Sequence, residues 1–215
     1  MSWEITEVAT LITDYVLCAE AALFAWLLKR PPASETRKAW SGLFTAVAAA
    51  ALLGGTQHGF QIPLGPQLVR VLGSAVLLAL NAAAYALLRG TAFSCLRPGA
   101  ARDRLLQFGL LKSAVFAVWA VAAPTFLVGM IDYGSALLCS AIAWSFAPFS
   151  RKARAALSLG FLVTLAASLI QALHVSPHPS FNHNDLYHVV QMLGLWLLYK
   201  GAVELKDRAA PTSRT

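Results

Sequence analysis

Charged side chains are scarce in this chain: they make up 13% of its 215 residues, and only 10 are acidic. Hydrophobic residues make up 58%. A soluble domain of this length needs more polar surface than that, so an ordinary water-soluble globule is excluded. Cysteine numbers 3, an odd count without C-x-x-C spacing, which argues against a disulfide framework. Cys18, Cys95 and Cys139 therefore read as small apolar packers. The apolar runs lack the strict alternation of lipid-facing strands, which excludes a membrane barrel. A basic n-region is also missing: Glu4 and Glu7 open the chain, so no cleavable signal peptide is expected. There is no solenoid-type repeat.

What the chain does have is long apolar runs, near 8–28, 40–60, 67–89, 104–124, 126–147, 154–174 and 184–203. Each is about as long as a bilayer-crossing helix requires. Only Ala123, Pro124 and Thr125 separate the fourth and fifth, and their sum is too long for one crossing, so a tight turn is expected at Pro124. The expected fold is an all-α integral membrane protein, a seven-transmembrane helix bundle over residues 1–205 with a short flexible tail over 206–215.

With seven spans, every Lys and Arg except Lys112 and Arg70 falls on the side of the C-terminal tail. The positive-inside rule then puts the N-terminus outside and the tail in the cytoplasm. The net charge of +7 is explained by topology, so nucleic acid is not an expected partner; the lipid bilayer is.

Polar residues inside membrane spans are costly and mark function. All five histidines, His58, His174, His178, His183 and His188, fall at the outer ends of spans two, six and seven or in the loop between the last two. Topology would gather them at one depth. Neutral imidazole is the commonest ligand of zinc, and three such side chains with an open position make a catalytic site. His174 and His178 read as interfacial hydrogen-bonding groups, whereas His58 and His188 lie within spans, where an unpaired polar group is expensive.

Asn182 is a good N-cap with Asp185 at the third helical position, so the last helix should start at His183. Asn184, His188 and Gln191 then share one stripe. His183 is turned about 140° from His188, and both reach one ion only if the first turn bends back. Asp14, about two turns inside span one, calls for a partner: a site ligand, an imidazole, a metal-bound water to deprotonate, or a neighbouring helix. Glu20 and Lys112 sit at similar depth from the ends of their spans and read as a buried charge pair.

A histidine at the outer end of span two with paired histidines opening span seven resembles the superfamily of alkaline ceramidases and progestin/adipoQ receptors, called CREST, as a divergent bacterial-type member. The resemblance implies a zinc held by three histidines: His58 from span two, His188 and His183 from span seven. It also implies hydrolysis of a lipid amide or ester. The spacing here is His-x-x-x-x-His rather than His-x-x-x-His. Gly54 stands where the family has a serine, and 67–89 contains no acid.

The expectation is a zinc-dependent membrane hydrolase acting on an amphipathic substrate at the outer leaflet, in a bacterial inner membrane or its equivalent. Asp185 or Asp14 would take the proton, and Asn184 or Tyr187 would steady the oxyanion. Two other readings stay open. One is a transporter or receptor-like binding protein; the other is a bis-histidine haem protein with His58 and His188 as axial ligands.

Overall fold

The computed structural model describes residues 4–209. They form helices α1 (Val8–Lys29), α2 (Glu35–Gly59), α3 (Gln61–Cys95), α4 (Ala100–Ala122), α5 (Phe126–Phe146), α6 (Arg151–Ala172) and α7 (His183–Val203). No β-strand occurs among the described residues; an isolated bridge joins His178 and Phe181 in the α6–α7 loop. Six helices, α1 to α6, are long and apolar enough to cross a membrane. α7 falls outside that group because its first half carries His183, Asn184, Asp185, His188 and Gln191.

Hydropathy marks where the apolar layer stops, not where a helix stops. α2 begins at Glu35, ahead of its apolar run, because the Ser34 hydroxyl accepts from Arg37 N at 3.1 Å and caps it. α3 runs on to Cys95, with Arg89 reaching Glu35 at 2.7 Å. At its start the backbone kinks at Gly65 (φ 71°), just before Pro66. α7 starts at His183 as expected, with a full capping box. Asn182 accepts from Asn184 N and Asp185 N, and Asp185 accepts from Asn182 N at 2.7 Å.

α2 is the helix most enclosed by the others, and it lies between α1 and α3. α3 also touches α5, α5 touches α6, α6 runs along α7, and α7 returns to α1. These six close a ring. α4 stands outside it against α3 and α5, burying only Gly109 and Ala120.

Lipid tails are as apolar as leucine, so helix association depends on close fit. At the α6–α7 seam a Cβ on Gly201 would lie 2.6 Å from Leu157 Cγ and 3.2 Å from Leu157 N, so only glycine lets the two helices come that near.

The expected Glu20–Lys112 pair does not form. Lys112 instead enters the bundle from α4 and pairs with the Asp132 carboxylate on α5, and its ammonium also donates to the Asp132 carbonyl at 2.6 Å. Asn81 donates to Asp132 Oδ2 at 2.7 Å, and Ser113 donates to Asn81 Oδ1 at 2.6 Å. Equal depth was the basis for pairing Glu20 with Lys112, but α1 and α4 are not neighbours.

Nor is the tail free where it is described. Asp207 accepts from Glu35 N at 2.9 Å and Thr36 N at 2.8 Å, and Arg208 N donates to Phe93 O at 2.8 Å. Burial alone would raise the Asp207 carboxyl, but the bonds from Thr36 and Glu35 outweigh it and hold it below its usual range. The remainder of the expected flexible tail, 210–215, lies outside the described residues.

Candidate functional site

The ring encloses a cavity of about 270 Å³, lined by residues of α1, α2, α3, α5, α6 and α7 and by the α4–α5 turn. One part of its wall is aliphatic, with Leu17, Val47, Val76, Leu77, Leu80 and Met130. Beside alanines, glycines, Pro124 and Phe126, another part is polar, with Asp14, Gln57, His58, Tyr133, Thr164, Ser168, Gln171, Asn184, Tyr187, His188 and Gln191.

Asp14 reaches the cavity because α1 and α2 meet at two glycines. A Cβ on Gly55 would come within 2.8 Å of Asp14 Cβ and 2.9 Å of the Tyr15 ring, and Asp14 Oδ2 lies over Gly54. The small residues at 54–55 thus admit Asp14 as well as flanking His58. Facing it from α7, the His188 ring is gripped on both sides. Its Nδ1 lies 3.0 Å from Thr13 Oγ1, and its Nε2 lies 3.2 Å from Asp14 Oδ1.

Counting donors fixes part of this arrangement. The Thr13 hydroxyl has one proton, and the carbonyls of Ala9 (3.0 Å) and Thr10 (3.1 Å) on its own helix take it. With its proton so placed, Thr13 Oγ1 can accept from the Nδ1–H tautomer of His188. The contact between Nε2 and Oδ1 is at ion-pair distance without hydrogen-bond alignment. Both side chains are buried.

The histidines do not converge as expected. His58 is half-exposed, with Nδ1 3.1 Å from Glu7 Oε2 though out of hydrogen-bond alignment. Glu7 also accepts from Gln61 Nε2 at 2.9 Å. His183 turns away from the cavity and meets His174 edge-on, Nε2 to Nδ1 at 3.2 Å. Its position at the first turn of a well-capped helix is fixed, so the bend that would carry it to His188 does not occur. Among the described residues no group of three or more His, Cys, Asp and Glu is placed to hold a metal ion.

Asp185 is likewise corrected. Its Oδ1 accepts from Thr10 at 2.7 Å and its Oδ2 caps α7, so both oxygens are engaged and it does not line the cavity. It anchors α7 to α1 and is not free to act as a base. Asn184 and Tyr187 do line the cavity, and Gln171 donates to Asn184 Oδ1 at 2.6 Å.

Sequence reasoning had Thr13 only as a neighbour of Asp14 in a helix–helix contact, not as a partner of His188, and it missed the α6 wall. Thr164, Ser168 and Gln171 stand four and three residues apart, a polar stripe inside an apolar run, and that spacing was the signal. Tyr133 gave none.

Several buried polar atoms on the cavity wall have no partner among the described residues: Asp14 Oδ2, Tyr133 Oη, Gln171 Oε1 and Gln191 Oε1. No curated protein and no solved structure matches the chain. Residues 9–207 match a family whose description is "Family of unknown function (DUF6962)", and the chain belongs to it.

Proposed function

We propose that this protein binds an amphipathic small molecule inside the helix ring, with the molecule's polar group against Asp14 and His188 and its tail along the aliphatic wall. The observation that carries this reading is the set of unpartnered buried polar atoms around one cavity. Native structures satisfy nearly all such atoms, and each one left bare costs about 1–3 kcal/mol. An occupant with donors and acceptors removes that cost. The aliphatic wall beside them selects an occupant that also carries apolar length.

Gly134 offers a clean test. It lines the cavity, and a Cβ there meets nothing within 4 Å, so a larger side chain is accommodated without a clash. Wild-type protein in nanodiscs of neutral lipid should bind N-dodecylacetamide above the level of empty nanodiscs, by calorimetry. Gly134→Phe should weaken that binding at least ten-fold while leaving the thermal midpoint unchanged. Equal binding by both proteins would end the proposal.

A second reading, the zinc hydrolase, is favoured by one feature. Two ligands of a tetrahedral zinc stand roughly 3.3 Å apart, and His188 Nε2 and Asp14 Oδ1 are separated by 3.2 Å. Thr13 on Nδ1 is the kind of outer partner that orients a metal-binding imidazole. Here Asp14 and His188 would be the ligands; neither His58 nor His183 is placed with them to complete a set of three, so water or the substrate would fill the remaining positions. The ion would supply an activated water and polarise a carbonyl. Stoichiometric zinc in protein purified without chelator, lost in His188→Gln, together with release of acetate from N-dodecylacetamide, would establish this reading over simple binding.

In either reading we propose that all seven helices cross the membrane with the His58 end outside. Reporters fused after Arg30, Arg97 and Arg154 should all score as cytoplasmic; an external signal from any of them would overturn that orientation.

A further inference from the structure

The cavity has a mouth, and the mouth carries a positive charge. A second, open cavity of about 520 Å³ lies between α3 and the α4–α5 turn. It shares Gln57, Gly73, Pro124 and Thr125 with the inner one, so the two adjoin at these residues. Gln57 forms the neck. Its amide lies against α3, 3.6 Å from where a Cβ on Gly73 would be, so glycine at 73 leaves the side chain its room. Arg70 lies less than one turn before Gly73 on α3 and lines the outer space.

Arg70 is exposed, and no carboxylate lies within ion-pairing distance of it among the described residues. It makes one long hydrogen bond, 3.5 Å, to the Ala122 carbonyl at the end of α4. That contact leans the guanidinium toward the α4–α5 turn, across the mouth, and leaves most of its five donors free. Among the described residues Arg70 is also the only Lys or Arg at the His58 end of the bundle, since Lys112 is committed to Asp132.

We propose that the bound amphiphile is anionic, with its carboxylate or phosphate held by Arg70 at the mouth. This rests on the reading of the cavity as an amphiphile site. The features then fall in order along one path: Arg70 takes the charge, Gln57 lies beside the chain at the neck, Asp14 and His188 meet a polar linkage, and the aliphatic wall takes the tail. The same order argues against a cationic head, which would meet a lone guanidinium on entry. The ligand class is therefore single-chain acidic lipids, either fatty-acid-like or phosphate-bearing.

The test uses full-length protein in nanodiscs of neutral lipid and four probes of equal chain length: dodecanoate, dodecyl phosphate, dodecanol and dodecyltrimethylammonium. Inorganic phosphate alone serves as the tailless control. Both anions should bind more tightly than dodecanol, and the cation should not bind. Arg70→Gln should weaken anion binding about ten- to a hundred-fold, the loss expected for one charge-assisted contact. It should leave dodecanol unchanged, and Arg70→Lys should restore part of the loss. A preference for one anion over the other supports the proposal and names the head. Anion affinity unchanged in Arg70→Gln would overturn it, showing that Arg70 only anchors the helix among bilayer headgroups. So would an equal loss for dodecanol. In both of those cases the cavity reading survives, whereas failure of every probe to bind would remove the two together.

Discussion

Replacing Lys112 by methionine should cost about 3–5 kcal/mol of stability, the price of leaving the buried Asp132 carboxylate unpaired. Asn81 would remain as one hydrogen-bond donor to it, and among the described residues no other cationic side chain pairs with it. The double variant Lys112→Met, Asp132→Leu should recover most of that loss, because paired removal leaves no charge to solvate. Thermal or denaturant unfolding in a fixed detergent would measure both. The consequence is local: α4 buries little of its own surface and hangs on α3 and α5, so the double variant should keep the cavity and bind N-dodecylacetamide as wild type does. Loss of binding in that variant would mean that α4 shapes the site from outside.

Asp14 and His188 should give the opposite pattern. His188→Leu alone leaves Asp14 without its imidazole, and Asp14→Leu alone leaves Nε2 facing an alkyl group; either should destabilise by about 3–5 kcal/mol if the pair is ionic, less if it is neutral. The size of that loss therefore reports how the pair is charged. Asp14→Leu, His188→Leu should refold to near wild-type stability with ligand binding abolished, since it removes the groups the occupant hydrogen-bonds to. If the double variant bound N-dodecylacetamide with undiminished affinity, the pair would be a brace between α1 and α7 and not part of a site. One buried pair is thus separable from the other by what its rescued double variant still does.

The helical class and the presence of long apolar helices were legible in the residues because they follow from local physics. Lipid leaves backbone groups no partner but their own helix, so an uncharged run of sufficient length declares itself. The α7 start at Asn182–His183 was equally legible, because a cap is a contact between near neighbours. The stripe of Asn184, His188 and Gln191 followed from helical period alone, and all three line the cavity.

What depended on which helices are neighbours was not legible. Depth matched Lys112 to Glu20, yet adjacency gave it Asp132, because α4 packs outside the ring and never meets α1. Asp185 looked like a base and is a cap bonded to Thr10, and His183 looked like a ligand and faces His174. In each case the residue type fixed what the side chain could do, while its partner was set by helix rotation. Rotation in turn depends on which small residues let two helices close, as at Gly55 beneath Asp14 and at Gly201 against Leu157. The sequence by itself determined a helical, membrane-suited chain with polar groups concentrated at one end. Only the tertiary structure decided which of them meet across helices, since those contacts are long-range and carry no period along the chain.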